Sequence, residues 1–131
     1  MERLDAVGIV SADLARSVKF YRLLGLDFPD PGSDDHIEAV APNGLRVMLD
    51  KVELMKKLDT EWVAPVGHRM SLAFRCDSPK DVDATFYRVV QAGFKSKDTA
   101  PYDAFWGQRY ASLIDPDGNT VDLFAELPQK S

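Results

Sequence analysis

At 131 residues the chain is the size of one ordinary domain, and 45% hydrophobic with 28% charged residues is the balance of a globular rather than a disordered protein. The net charge is −5, with acids and bases interspersed and no lysine or arginine run, which argues against a nucleic-acid surface. A lone cysteine, Cys76, rules out an internal disulfide and suggests a reducing compartment. The first residues lack the length and flanks of a signal peptide, and no stretch reaches the roughly 20 apolar residues of a bilayer span. The expectation is a cytoplasmic protein with no nucleic-acid and no membrane partner.

Residues 4–10 form a short apolar run that reads as a strand. Ser11 or Asp13 can then cap a helix over 13–24 that presents Leu14, Val18 and Tyr21 on one face and ends at Gly25. Three strands follow in Leu26-Asp27-Phe28, in residues 36–41 and in residues 45–50, the last two joined as a hairpin through Pro42-Asn43-Gly44. Residues 52–58 can form a short helix, and the rest up to 67 reads as linker. Residues 68–76 read as a strand in which Met70, Leu72, Phe74 and Cys76 share the helix-covered face; Cys76 is there a small hydrophobe rather than a nucleophile. Ser78 and Pro79 start a second helix, with Val82, Phe86, Val89 and Val90 on its apolar face and Gly93 at its end. A loop with Tyr102, Phe105 and Trp106 leads to a strand over 107–115, a tight turn at Pro116-Asp117-Gly118-Asn119 and a last strand over 120–126.

The second half repeats the first. Phe20-Tyr21-Arg22 recurs as Phe86-Tyr87-Arg88, each ahead of a helix-ending glycine. Pro42-Asn43-Gly44 with Val47 and Leu49 recurs as Pro116-Asp117-Gly118 with Val121 and Leu123. The expected fold is α+β, one domain over 1–131, built from two βαβββ modules at about 1–50 and 68–127 joined by a linker at about 51–67.

The segment SADLARSVKFYRLLGLDF and the closing WGQRYASLIDPDGNTVDLF resemble the opening and closing motifs of the vicinal-oxygen-chelate superfamily of glyoxalases, bleomycin-resistance proteins and extradiol dioxygenases. The resemblance covers nearly the whole chain, and the pairing of the FY…LG helix with the DPDGN turn is specific. It implies that each module curls its sheet into half a barrel with the helix on the convex side, that a concave cavity holds the site, and that the protein is a homodimer. Modules pair within one chain in some members and across a dimer in others.

Enzymes of this superfamily hold a divalent metal with His, Gln or Glu side chains, and the metal stabilises an anionic intermediate. The matching positions here are Ala6, Met48, Ser71 and Asp122. Alanine offers no donor, methionine is a poor ligand for hard cations and serine a weak one, so only Asp122 suits such an ion. The expectation is therefore no metal cofactor. The alternative is a divalent metal on relocated ligands, with His68 or His36 joining Asp122. His68 falls on the opposite strand face from Ser71, and each histidine is better read as a surface or hydrogen-bonded side chain.

Alternation directs Ala6, Gly8, Arg46, Met48, Ser71, Ala73, Thr120, Asp122 and Phe124 inward. Small residues on a concave sheet leave room for a small organic ligand, Met48 and Phe124 offer an apolar wall, and Trp106, Phe105 and Tyr110 can stack on a flat molecule. Arg46 and Asp122 are the charged anchors, and Asp122 is the one catalytic candidate. The expected function is metal-free binding of an aromatic or drug-like molecule, as in antibiotic-sequestering members. The competing readings are a glyoxalase- or dioxygenase-like metalloenzyme and a metal-free isomerase using Asp122 as base.

Overall fold

A computed structural model describes residues 1–67 and 70–129. The chain divides into two compact units, Met1–Val66 and Gly67–Ser131, each a mixed α+β unit with one sheet.

The first unit runs β1 (Ala6–Ser11), α1 (Leu14–Leu23), β2 (His36–Val40), β3 (Arg46–Lys51) and α2 (Val52–Leu58). Its sheet order is β1-β3-β2, with β1 parallel and β2 antiparallel to β3. Asp13 caps α1, accepting the backbone N–H of Arg16 at 3.2 Å. The other cap candidate, Ser11, is buried and shares a hydroxyl hydrogen bond with Ser17 at 2.7 Å. At the far end Gly25, at φ 89°, lets its own N–H reach the Arg22 carbonyl and the Leu26 N–H reach the Tyr21 carbonyl. That paired closure satisfies two carbonyls otherwise left bare. Leu14, Val18 and Tyr21 are buried, as are Ile9, Ile37, Val47 and Leu49 of the sheet.

One expected strand of this unit is absent. Leu26 and Phe28 are buried, yet their backbone bonds are spent locally: Leu26 N–H on the helix cap, Phe28 N–H on the Leu26 carbonyl at 3.0 Å, and the Phe28 carbonyl on Arg22 Nε at 2.9 Å. Little is left for a ladder, and Pro29 and Pro31 just beyond have no N–H to give.

The second unit runs β4 (Ser71–Arg75), α3 (Pro79–Gln91), β5 (Lys95–Ser96), β6 (Tyr102–Asp103), β7 (Gln108–Ile114) and β8 (Thr120–Glu126). Its sheet order is β4-β8-β7-β5, with β6 also pairing β7. Ser78 caps α3, Pro79 opens it, and Gly93 closes it with the same pair of bonds seen at Gly25. The repeat read from the sequence thus extends to the cap chemistry. Val82, Phe86 and Val89 of α3 are buried, as are Ala111, Leu113, Val121 and Leu123 of β7 and β8. Each fully buried large side chain contributes about 1.5–3 kcal/mol. Leu72 and Phe74 of β4 are half-buried on the helix side, with Cys76 just beyond. Met70 departs from the expectation: it lies ahead of the strand and is 72% exposed, because pairing begins only at Ser71.

The turn between β7 and β8 is held by one carboxylate. Asp115 accepts the N–H groups of Asp117 and Asn119 and the Asn119 side-chain amide, all at 2.8–2.9 Å. This is the physical content of the Asp-Pro-Asp-Gly-Asn motif.

Candidate functional site

The helix-free face of the second unit's sheet carries three ordered rows. Register places Tyr102, Tyr110, Phe124 and Arg75 side by side across β6, β7, β8 and β4. The next row is Ser112, Asp122 and Ala73, followed by Ile114, Thr120 and Ser71. An open cleft of about 510 Å³ lies on this face, lined by Tyr102 and Tyr110, by the hydroxyls of Ser71, Ser112 and Thr120, and by Asp122, Lys97, Asp98 and Met70.

Asp122 is buried and accepts the Ser112 hydroxyl at 2.7 Å and the Tyr110 hydroxyl. Ser112 also donates its backbone N–H to Asp98 Oδ2 at 2.8 Å, so one serine ties both acids of the cleft in place. Burial first, then the bond to Asp122, pushes the Tyr110 phenol far above its usual range. Burial and the charges of Asp98 and Asp122 also raise Tyr102. Both phenols are therefore protonated near neutral pH, facing a region of negative potential.

The aromatic surface continues outward. Trp106 meets Tyr110 edge to face at 5.2 Å, Tyr110 meets Tyr102 at 6.1 Å, and Phe105, 97% exposed, meets Trp106 at 5.0 Å. Trp106 is steadied by Nε1–H donation to Gln108 at 2.8 Å. Phe124 carries the Arg75 guanidinium over its ring at 4.9 Å, so this face already accommodates a cation on an aromatic ring.

In the first unit, Ala6, Gly8, Arg46 and Met48 share the sheet face away from the core, with His36, Glu38 and Asp50 beside them. A side chain at Gly8 would meet Met48 Cε at 3.5 Å. Arg46 is not the open anchor expected of it. Its guanidinium is engaged by Asp5 at 2.7 Å and Glu38 at 2.6 Å, because cross-strand geometry offers it carboxylates on both sides. His36 is hydrogen-bonded, as its surface reading required: Nδ1 lies 2.5 Å from Asp50 Oδ1 and Nε2 lies 2.7 Å from Glu38 Oε2.

Of the candidates read from sequence, Ser71, Tyr110 and Asp122 line one cleft, Ala73 and Phe124 adjoin it, and Trp106 connects through Tyr110. His68 lies outside the described residues. Met70, Lys97, Asp98, Tyr102 and Ser112 were not assigned to the cleft from the sequence. Ser112 was legible by alternation from Tyr110, whereas Asp98 reaches the cleft from a segment with no periodic pattern.

A model of the Glyoxalase/Bleomycin resistance protein/Dioxygenase superfamily matches residues 3–123. The chain belongs to this superfamily. Among curated proteins, none matches the sequence. Solved structures of the glyoxalase-type fold superpose over nearly the whole chain. A glyoxalase/bleomycin resistance protein/dioxygenase from Nocardioides is 22% identical with a TM-score of 0.77, covering 100% of this chain and 87% of its own. A glyoxalase-related enzyme from Fulvimarina pelagi is 20% identical with a TM-score of 0.81, covering 96% and 89%. A lactoylglutathione lyase from Agrobacterium tumefaciens is 16% identical with a TM-score of 0.70, covering 95% and 94%. At these identities the likeness is one of fold.

Among the described residues, the side chains at the positions that the resemblance matches to metal ligands are a poor donor set for a divalent ion. The first unit supplies Ala6 and Met48 at the matching positions, and the second supplies Ser71 and an Asp122 already bonded to two hydroxyls. Among the described residues, no three His, Cys, Asp or Glu side chains are arranged to hold an ion. His36 shows why: its carboxylates sit at opposite ring nitrogens, so the donors diverge instead of converging on a point.

Proposed function

We propose that the protein binds a small flat organic molecule in the cleft of its second unit without a metal, in the manner of the sequestering rather than the catalytic members of its superfamily. The observation that carries this reading is the pairing of an aromatic row, Tyr102, Tyr110 and Phe124, with a polar row anchored on Asp122. The aromatic row stacks on a ring. Asp98 and Asp122 accept from an amine or hydroxyl on it, while Lys97 takes up an acceptor. Ser71 and Ala73, small and exposed, leave the adjoining strand open. A homodimer and a cytoplasmic location belong to the same proposal.

The test is a titration of the intact chain with 1-naphthylamine, 2-naphthol and cyclohexylamine in the presence of EDTA, followed by calorimetry and tryptophan fluorescence. Saturable binding of the two flat probes, weakened in Tyr110→Ala and absent for cyclohexylamine, supports the reading. Binding that appears only after a divalent metal is added would overturn it in favour of a metalloenzyme with relocated ligands.

A further inference from the structure

On the first unit's sheet, counting outward from Asn43 in both directions brings Val40 opposite Arg46, Glu38 opposite Met48 and His36 opposite Asp50. His36 therefore touches one carboxylate across the hairpin and another two residues along its own strand, at 2.5 and 2.7 Å. An ionised carboxylate only accepts hydrogen bonds. Both contacts can exist together only when both ring nitrogens carry protons, that is, when His36 is an imidazolium. β2 is the edge strand of this sheet, paired on one side only, and His36 stands at its start.

We propose that His36 is a proton-operated clamp, which when protonated bridges Asp50 of β3 and Glu38 of β2 and when deprotonated releases the start of the edge strand. Loss of the proton leaves one ring nitrogen as an acceptor facing a carboxylate, and it sets Asp50 and Glu38 against each other. The charges acting on the imidazole are those of Glu38 and Asp50. Arg46 and Asp5 lie beyond Glu38 in the chain of ion pairs, and Lys51 beside Asp50 pairs with Asp35 at 3.8 Å. β1 presents only Ala6, Gly8 and Val10 on this face. The bonds to Glu38 and then Asp50 raise His36 above 6.5, and the bonds to His36 and then Arg46 lower Glu38 below 4.5. A raised histidine stabilises the fold fully below its unfolded value and loses that contribution as pH climbs through the folded one. A lowered glutamate contributes above its unfolded value and loses that as pH falls through the folded one. The clamp is thus complete from 4.5 to 6.5 and opens above. With His36 39% exposed, solvent screening keeps the effect local rather than global.

The experiment is NMR on the intact ¹⁵N-labelled chain, whose two histidines make His68 an internal comparison. The His36 ring titrates above 6.5, and Glu38→Gln moves its midpoint down. Amide protection along β2, corrected for intrinsic exchange, falls about threefold or more relative to β8 between about pH 6 and about pH 9. His36→Gln removes that difference. A midpoint at or below 6.5, or β2 protection that follows β8 throughout, would overturn the clamp. Glu38→Gln and the wild-type profile decide the matter even where His36→Gln fails to fold.

Discussion

Asp122 illustrates how one residue changes role when its neighbours change. The resemblance matches it to a metal-binding glutamate, but in this chain Ser112 and Tyr110 donate to it, and among the described residues no group of three His, Cys, Asp or Glu side chains is arranged to hold an ion. Asp122→Asn removes the charge that holds the Tyr110 proton, so the alkaline absorbance titration of the tyrosines gains a component shifted down toward 10. An unchanged titration would mean that burial alone accounts for Tyr110. Because Tyr110 is raised in the folded state, its contribution to stability is whole below 10 and declines at higher pH, and chemical denaturation across that range reads the decline. At this scale the sequence spoke clearly where alternation governs: Ser71, Asp122 and Phe124 share the face assigned to them. It was silent on Asp98, whose bond to the Ser112 backbone arises from loop geometry. A hydrogen-bonded His36 was legible in the sequence, but its partner Asp50 follows only from the register of the hairpin centred on Asn43.

Among the elements, helix ends were the most legible features, since cap chemistry is local. Ser78→Ala removes the acceptor for the Asp81 N–H, at a cost of about 1 kcal/mol that urea denaturation detects. Gly25→Ala meets no neighbouring atom, so its cost is the backbone strain at φ 89° alone, about 1–2 kcal/mol, and a larger loss would point to a contact not seen here. Phe86→Ala, at 1% exposure between α3 and its sheet, costs about 3–5 kcal/mol. The missing strand at Leu26–Phe28 marks the limit of pattern reading. Its alternation is that of a strand, but the helix cap and Arg22 consume the backbone groups first, and only the three-dimensional path shows that competition. Met70 failed for a related reason: hydrophobicity predicts a buried face only as far as the ladder extends.

For the whole molecule, the duplicated pattern of strand, capped helix and turn-linked strands was enough to indicate the two-module topology, while the opening FY…LG helix and the closing DPDGN turn carried the resemblance to the superfamily, which the match over residues 3–123 establishes. Function is less legible, because one fold hosts both catalysts and binders and the distinction rests on a few donor atoms. The central claim is that the second unit's cleft takes a flat ligand without help from a metal. Calorimetric titration of the EDTA-treated protein with 1-naphthylamine tests it most directly. Saturable one-site binding that Asp122→Asn and Tyr110→Ala each weaken is the expected result. Absence of heat until a divalent metal is restored, with that metal then held stoichiometrically, would contradict it.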